Sequence, residues 1–335
     1  MLKRIKTGCI ASLSILMVIF TPIIMAEDLA DPSESFLWEI RQEGERIASL
    51  LGTVHIGPKE MVLSPAVETQ LVMSDRLITE NQMIFASMAE EAAMAEPVTA
   101  LMIQPVLMPL SERFDESNTK VLQDFLLNRG IPTLNHGVVT NKGILIFLLL
   151  DIGEEYSPEF GMETRLKDVA NRLNMPNQGL ESVEESLKPF MEMTDAQTVA
   201  LIEVIIQARE KAQVYQQALI RTYMANDVKA FLATVEEMEE VIPYPEIDPE
   251  YWQAFDYAML EARNLVWASR IPEMLAQLDD NETPFIAVGA MHLFGEEGLV
   301  MLLQKAGFEM IPIDGEKHIE IKPSIEQPVK KRVGQ

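Results

Sequence analysis

Thiols are almost absent from the 335-residue sequence, which contains one cysteine and four histidines. The single cysteine, Cys9, lies inside an apolar N-terminal segment that we expect to be removed, so the mature chain would carry no thiol. Disulfides, thiolate–metal sites and cysteine nucleophiles are then excluded. Any catalytic or metal chemistry must depend on histidine and carboxylate side chains.

Basic residues are also scarce, with 27 Lys and Arg against 52 Asp and Glu and a net charge of −25. Nucleic acids and anionic lipid surfaces would be repelled by such a chain, so we predict no nucleic-acid partner. A cation or a basic peptide is easier to bind. The acidic excess is equally consistent with a general role in solubility.

The first 26 residues have the order of a secretory signal. Lys3, Arg4 and Lys6 precede an apolar run over residues 9–25, and the small residue Ala26 follows it. We predict a signal peptide over residues 1–26, cleaved before Glu27, and an exported protein that is periplasmic or secreted. The alternative is that the uncleaved segment stays in the membrane as an anchor, which would be the only contact with a membrane.

Short strand-like runs alternate with longer helical patterns after this segment. A polar turn with glycine at 42–45 predicts a hairpin of strands 36–40 and 46–51. Further strands are predicted at 76–80, 177–181, 284–288 and 309–313. Helices are predicted at 64–73, 119–127, 138–150, 162–173, 195–224, 227–240 and 251–278. We therefore predict an α/β (α+β) domain over residues 27–314, with a central mixed β-sheet flanked by helices and a large helical insertion, followed by a flexible tail at 315–335.

Two distant segments share one pattern, in which an apolar strand ends in glycine and histidine follows three residues later. They are Gly52-Thr53-Val54-His55 and Gly289-Ala290-Met291-His292. Ligands of α/β sheets collect beyond the carboxyl ends of strands, and glycine there lets the backbone approach a ligand closely. Because imidazole is a common metal ligand and general base, we predict that His55 and His292 form one site. His136 and His318 lack this context and are expected to be structural.

Two histidines do not complete a hydrolytic metal site, which typically has three protein ligands. Glu80 and Glu181 end predicted strands and would reach the same edge of the sheet, so either could be the further ligand or the general base. Arg263 and Asn264 lie in a predicted helix beside large apolar residues. Directed at the site, Arg263 would stabilise an oxyanion or hold a substrate carboxylate.

Taken together, these residues resemble the TraB/GumN family over residues 36–313. The matching segments are Leu37-Trp38, Gly52-Thr53-Val54-His55, Thr79-Glu80, Gly161-Met162-Glu163, Leu180-Glu181, Arg263-Asn264, and Gly289-Ala290-Met291-His292 with Gly295 and Gly298. The resemblance implies kinship with the Tiki metal-dependent proteases and, more distantly, with erythromycin esterase-like and haem-binding ChaN-like folds. It also implies a site role for Glu163, which we assign to the metal; it stands where many relatives carry aspartate.

The first functional hypothesis is an exported, divalent-metal-dependent hydrolase acting on a peptide or protein substrate. His55, His292, Glu181 and Glu163 would bind manganese, cobalt or zinc, and Glu80, Arg263 and Asn264 would act in catalysis. A second hypothesis is a peptide-binding or sequestering protein of the cell envelope without turnover. A third is haem or metal-ion binding for uptake.

Overall fold

The computed structural model describes residues 29–241, 243–279 and 281–314, so the predicted signal segment and tail lie outside the described residues. In chain order, strands β1 to β8 are Leu37–Gln42, Glu45–Thr53, Gly57–Pro58, Arg76–Thr79, Tyr156–Ser157, Asn177–Gly179, Pro284–Gly289 and Glu309–Pro312. Helices α1 to α11 are Pro65–Val72, Met88–Met102, Glu116–Asn128, Asn141–Leu149, Met162–Leu173, Val183–Glu192, Asp195–Met224, Val228–Val241, Pro249–Met259, Glu261–Leu275 and Leu299–Lys305. None of these helices is both long and apolar enough to span a membrane.

The main sheet has six strands in the order β6-β4-β7-β2-β1-β8, and β3 and β5 form a separate two-stranded sheet. Neighbouring strands from β6 to β2 are parallel, whereas β1 is antiparallel to both β2 and β8. Strand β7 is buried at every position, as expected for a central strand covered by helices on both faces. The predicted α/β fold with a central mixed sheet is confirmed.

The predicted hairpin is formed by β1 and β2, whose two-residue turn is Glu43-Gly44. Both turn residues have positive φ, 52° and 83°, the left-handed conformation that short hairpin turns require. At the far end of β2 the chain runs directly into the first glycine–histidine segment. The hairpin therefore determines where the chain leaves the sheet, two residues before His55.

The helical insertion consists of α6 to α10, which lie between β6 and β7 in the chain. Its longest element, α7, has 30 residues and spans about 45 Å. Leu201 and Ile202 near its start pack in a helical core shared with α3, α4 and α9, whereas Ile220 and Tyr223 near its end pack in the core around the sheet. A single helix thus connects the two cores.

Some helix predictions were wrong in extent. The predicted helix 251–278 is two helices, α9 and α10, separated at Leu260, where φ is −125° and ψ is −75°. The apolar pattern continues through this break, so the sequence carries no signal for it. The predicted helix 138–150 begins only at Asn141, because Thr140 caps it and a 3-10 helix, Thr133–Val138, precedes it. Helices α2, α6 and α11 were not predicted.

Candidate functional site

The carboxyl ends of the four parallel strands lie at one edge of the sheet. Thr53 of β2 pairs with Gly289 of β7, and Thr79 of β4 pairs with Ala287 of β7 and with Gly179 of β6. Residues just beyond these strand ends must therefore lie near one another. They include His55, Glu80, Glu181 and His292.

His55 is oriented by a carboxylate on a different element. Its Nδ1 lies 2.8 Å from Oε1 of Glu163, the second residue of α5, and the Thr53 hydroxyl also donates to Oε1. The imidazole is 61% exposed at the cleft. Because Nδ1 is held by Glu163, Nε2 is the nitrogen that can meet a ligand. The negative charge of Glu163 raises the pKa of His55 above its ordinary value.

His292 is oriented by an amide. Oδ1 of Asn264 lies 2.6 Å from Nδ1 of His292, and Nδ2 of Asn264 donates to the carbonyl of Glu297 at 2.9 Å. Because the amide nitrogen is committed to a carbonyl, Oδ1 faces the imidazole, so Nδ1 carries the proton and Nε2 carries the lone pair. Burial lowers the pKa of His292 to about 4, which keeps the ring neutral near pH 7. Asn264 thus fixes the orientation of the His292 ring, and its predicted catalytic role stays a prediction.

Arg263 lies at the centre of the buried part of the site. Its Nε and Nη2 donate to Oε1 of Glu181 at 3.0 and 2.6 Å, and Nη2 also donates to Oε2 of Glu80 at 2.6 Å. Nη1 lies 3.3 Å from the carbonyl of Met259 and 3.3 Å from Nε2 of His292. These contacts occupy the five N–H groups of the guanidinium. An oxyanion role for Arg263 stays a prediction, and it requires one of these contacts to break.

Both carboxylates beside Arg263 are deeply placed, with side chains only 16% exposed for Glu80 and 4% for Glu181. Burial alone would raise the pKa of Glu80, but His292, His55 and Arg263, together with the N–H of Gly289, hold it at about 2. Burial outweighs the contacts with Arg263 at Glu181 and raises its pKa. Glu80 is therefore the more strongly ionised of the two.

Trp267 is a site residue that the sequence did not identify. Its indole N–H donates to Oε2 of Glu181 at 3.2 Å, and its ring lies 4.5 Å from the Arg263 guanidinium and 4.5 Å from the His292 ring. Residues four apart on a helix share a face, so the spacing of Arg263 and Trp267 could have indicated this contact.

Comparisons with known proteins agree with the motifs. Residues 36–312 match the model of the TraB/PrgY/gumN family. The chain belongs to this family. It is 22% identical over 269 residues to the protein described as "Uncharacterized protein YbaP" of Shigella flexneri and to that of Escherichia coli (strain K12), covering 79% of this chain and 91% of each relative. No solved structure matches the chain.

In this TraB/PrgY/gumN member, the residues predicted for the site form two groups of contacts that border the same space beside Gly289, His55 with Glu163 and the other five around Arg263 and His292. The seven residues are His55, Glu80, Glu163, Glu181, Arg263, Asn264 and His292. Their chemical roles stay predictions, because proximity alone does not establish a reaction. Glu163 and Glu181, predicted as metal ligands, contact His55 and Arg263 in this structure.

Side chains of the kinds that bind divalent cations surround Gly289. A Cβ built on Gly289 would lie 3.2 Å from Oε1 of Glu80, 3.4 Å from Nε2 of His55 and 3.4 Å from Cδ2 of His292. Two imidazoles and one carboxylate thus border the same small space. Within the described ranges, no group of three or more His, Cys, Asp or Glu side chains is already placed to hold a metal ion. Arg263 contacts Glu80 and His292 there, so a cation would need the guanidinium to shift.

Glu163→Gln is expected to lower the pKa of His55 in the metal-free protein towards the ordinary value of about 6.5. The carboxylate of Glu163 favours the protonated imidazole, so its loss lets His55 release the proton at lower pH. Titration of the histidine ring signals by NMR measures this change. His136, whose Nε2 lies 2.9 Å from the carbonyl of Ile131, provides an internal control in the same spectra. An unchanged titration of His55 would contradict the assigned ion pair.

Proposed function

We propose that this TraB/PrgY/gumN protein is a divalent-metal-dependent hydrolase that cleaves peptides outside the cytoplasm. The observation that carries the proposal is that two imidazoles beside Gly289 are each held at Nδ1 by another side chain. His55 and His292 are each fixed through Nδ1, by Glu163 and Asn264. Nε2 of His55 and Cδ2 of His292 border Gly289, and Nε2 of His292 lies 3.3 Å from Nη1 of Arg263. Fixing one ring nitrogen by an outer partner is the usual arrangement around metal-bound histidines.

In the proposed site, His55, His292 and Glu80 would hold the cation. A divalent cation supplies Lewis acidity, which activates water and polarises a carbonyl group. Glu80 suits the role of a ligand better than that of a general base, because a carboxylate with a pKa of about 2 is a weak base near pH 7. Manganese, cobalt and zinc all accept mixed imidazole and carboxylate ligands.

The remaining side chains keep this arrangement in place. Glu163 and Asn264 orient the imidazoles, and Arg263 balances the two carboxylates.

Export is supported by the N-terminal order of basic, apolar and small residues. A second candidate, peptide binding without turnover, is favoured by the full occupancy of the Arg263 N–H groups, which leaves none to stabilise an oxyanion.

Removing either imidazole is expected to abolish both metal binding and cleavage. His55→Ala and His292→Ala should each reduce peptide cleavage by at least about 100-fold, since losing only an outer partner of a metal site already costs 10–100-fold. Metal content is measured by mass spectrometry after loading with manganese, cobalt or zinc, and cleavage is measured on a peptide library. His318→Ala, which removes an imidazole outside both glycine–histidine segments, is the matched control.

The outcomes separate the two candidates. Loss of metal and cleavage in both variants, with the control unaffected, supports the hydrolase. If the wild type binds peptides but cleaves none with any of the three metals, binding without turnover replaces hydrolysis. Full metal content and full cleavage in both variants would show that the site is elsewhere.

A further inference from the structure

An apolar cleft of about 340 Å³ opens beside His55 and His292. Among the described residues that line it, Arg263 is the one charged side chain besides the two histidines. Away from the histidines its walls include Ile56, Ile152, Leu219, Ile220, Phe231 and Met259. These side chains come from the segment after β2, the segment after α4, and helices α7, α8 and α9. The cleft is thus apolar on several sides and lies next to the imidazole rings of His55 and His292.

Arg263 does not make the cleft suitable for an anion. Its N–H groups are occupied by Glu80, Glu181, Met259 and His292. The guanidinium charge is already balanced by two carboxylates. A charged side chain placed against Ile220 and Phe231 would lose hydration, which is costly in an apolar environment.

The inner wall of the cleft is closely packed. Ile220 and Phe231 are 4% and 3% exposed and belong to the core around the sheet. The ring of Phe231 packs edge-on against Phe36 at 5.3 Å and lies 6.2 Å from the ring of Phe294. A wall held in this way resists rearrangement for a polar guest, because close-packed interiors resist changes of shape.

Gln216 contributes an amide to the lining of the cleft. Its neighbours on α7 are committed elsewhere, since Gln213 donates to Asp151 and Gln217 donates to the carbonyl of Ile152. No side-chain hydrogen bond of Gln216 is formed within the described part of the chain. A free amide donates and accepts hydrogen bonds, as the backbone of an extended peptide does.

We propose that this cleft binds an uncharged, apolar side chain of a peptide and so makes the site selective for an apolar residue beside the bond that is cleaved. The inference rests on the proposed hydrolytic function. Burial of the apolar side chain against α7 and Phe231 supplies affinity, and Gln216 holds the peptide backbone at the entrance.

A peptide series tests the selectivity. Peptides with blocked termini, identical except for one position that carries leucine, methionine, phenylalanine, serine, lysine or aspartate, are compared by kcat/KM, and each position is varied in turn. At one position the apolar residues are expected to exceed lysine and aspartate by about 100-fold. Indistinguishable rates at every position, or a preference for charge, would overturn the inference.

Leu219→Lys places a cation in the half-buried wall of the cleft. The variant should favour aspartate relative to leucine at the selective position by about tenfold compared with the wild type. Val214→Lys is the matched control, because Val214 is on the same helix, 60% exposed and not part of the cleft lining. Equal preferences in the two variants would show that Leu219 does not face the bound side chain.

Failure of the cleft inference can be distinguished from failure of the hydrolase. If the wild type cleaves no peptide, the same series is measured by isothermal titration calorimetry. Tighter binding of the apolar members then supports the cleft inference while hydrolysis is rejected. Equal binding of apolar and charged members rejects the cleft inference as well.

Discussion

Arg263→Ala is expected to destabilise the protein by about 3–5 kcal/mol, the cost of leaving buried charges without their partner. The guanidinium is 13% exposed and binds both Glu80 and Glu181 at 2.6 Å, so its loss removes the cation that both buried carboxylates contact. Trp267 also loses the cation packed 4.5 Å from its ring. Urea unfolding followed by circular dichroism measures the change in the free energy of unfolding.

Arg270→Ala is the matched control for this experiment. Arg270 is on the same helix and binds Glu185 at 2.6 Å, but the two side chains are 33% and 48% exposed, so the loss should not exceed about 1 kcal/mol. Combining Arg263→Ala with Glu80→Gln and Glu181→Gln should restore part of the lost stability, because no buried charge then lacks a partner. If Arg263→Ala costs no more than the control, the central role of Arg263 is wrong.

The edge of the sheet on which the site lies could be predicted from sequence. Glycine after an apolar run marked the ends of β2 and β7, and the short strands β4 and β6 ended at or near glutamates. Parallel strands bring their carboxyl ends to one edge, so the sequence predicts that His55, His292 and Glu80 lie near one another. The apolar periodicity also predicted the bounds of α7, because the observed helix, Asp195–Met224, has the predicted range.

The partners of these residues could not be predicted in the same way. Glu163 binds His55 across more than a hundred residues of sequence, and nothing in either segment specifies the other. The break at Leu260 re-orients α10, yet it falls within a continuous apolar pattern. Whether Arg263 is free or occupied depends on five separate contacts, which only packing determines. Local patterns indicate where a strand ends, whereas tertiary contacts decide what each side chain can do.

Gly161 lies where an added side chain is expected to have the second large effect on stability. A Cβ built on this residue would lie 2.1 Å from the carbonyl oxygen of His55 and 2.6 Å from its carbonyl carbon. Its φ of −64° is ordinary, so glycine is required here by space and not by backbone conformation. The close approach lets the N–H of Met162 donate to the carbonyl of Val54 at 3.0 Å. Helix α5 thereby docks its first turn on the glycine–histidine segment.

Gly161→Ala is therefore expected to destabilise the protein by about 3 kcal/mol, because the added methyl meets backbone atoms that cannot move aside without shifting α5. Gly44→Ala is the control: Gly44 has a φ of 83° but nothing within 4 Å of an added Cβ, so only the left-handed backbone conformation is penalised, by about 1 kcal/mol. Urea unfolding compares the two variants, and equal losses would contradict the close approach.

In the folded fraction of Gly161→Ala, moving α5 away separates Glu163 from His55, so the pKa of His55 should fall towards its ordinary value as in Glu163→Gln. The glycine two residues before the carboxylate thus acts on the imidazole through the distance that it permits between α5 and β2.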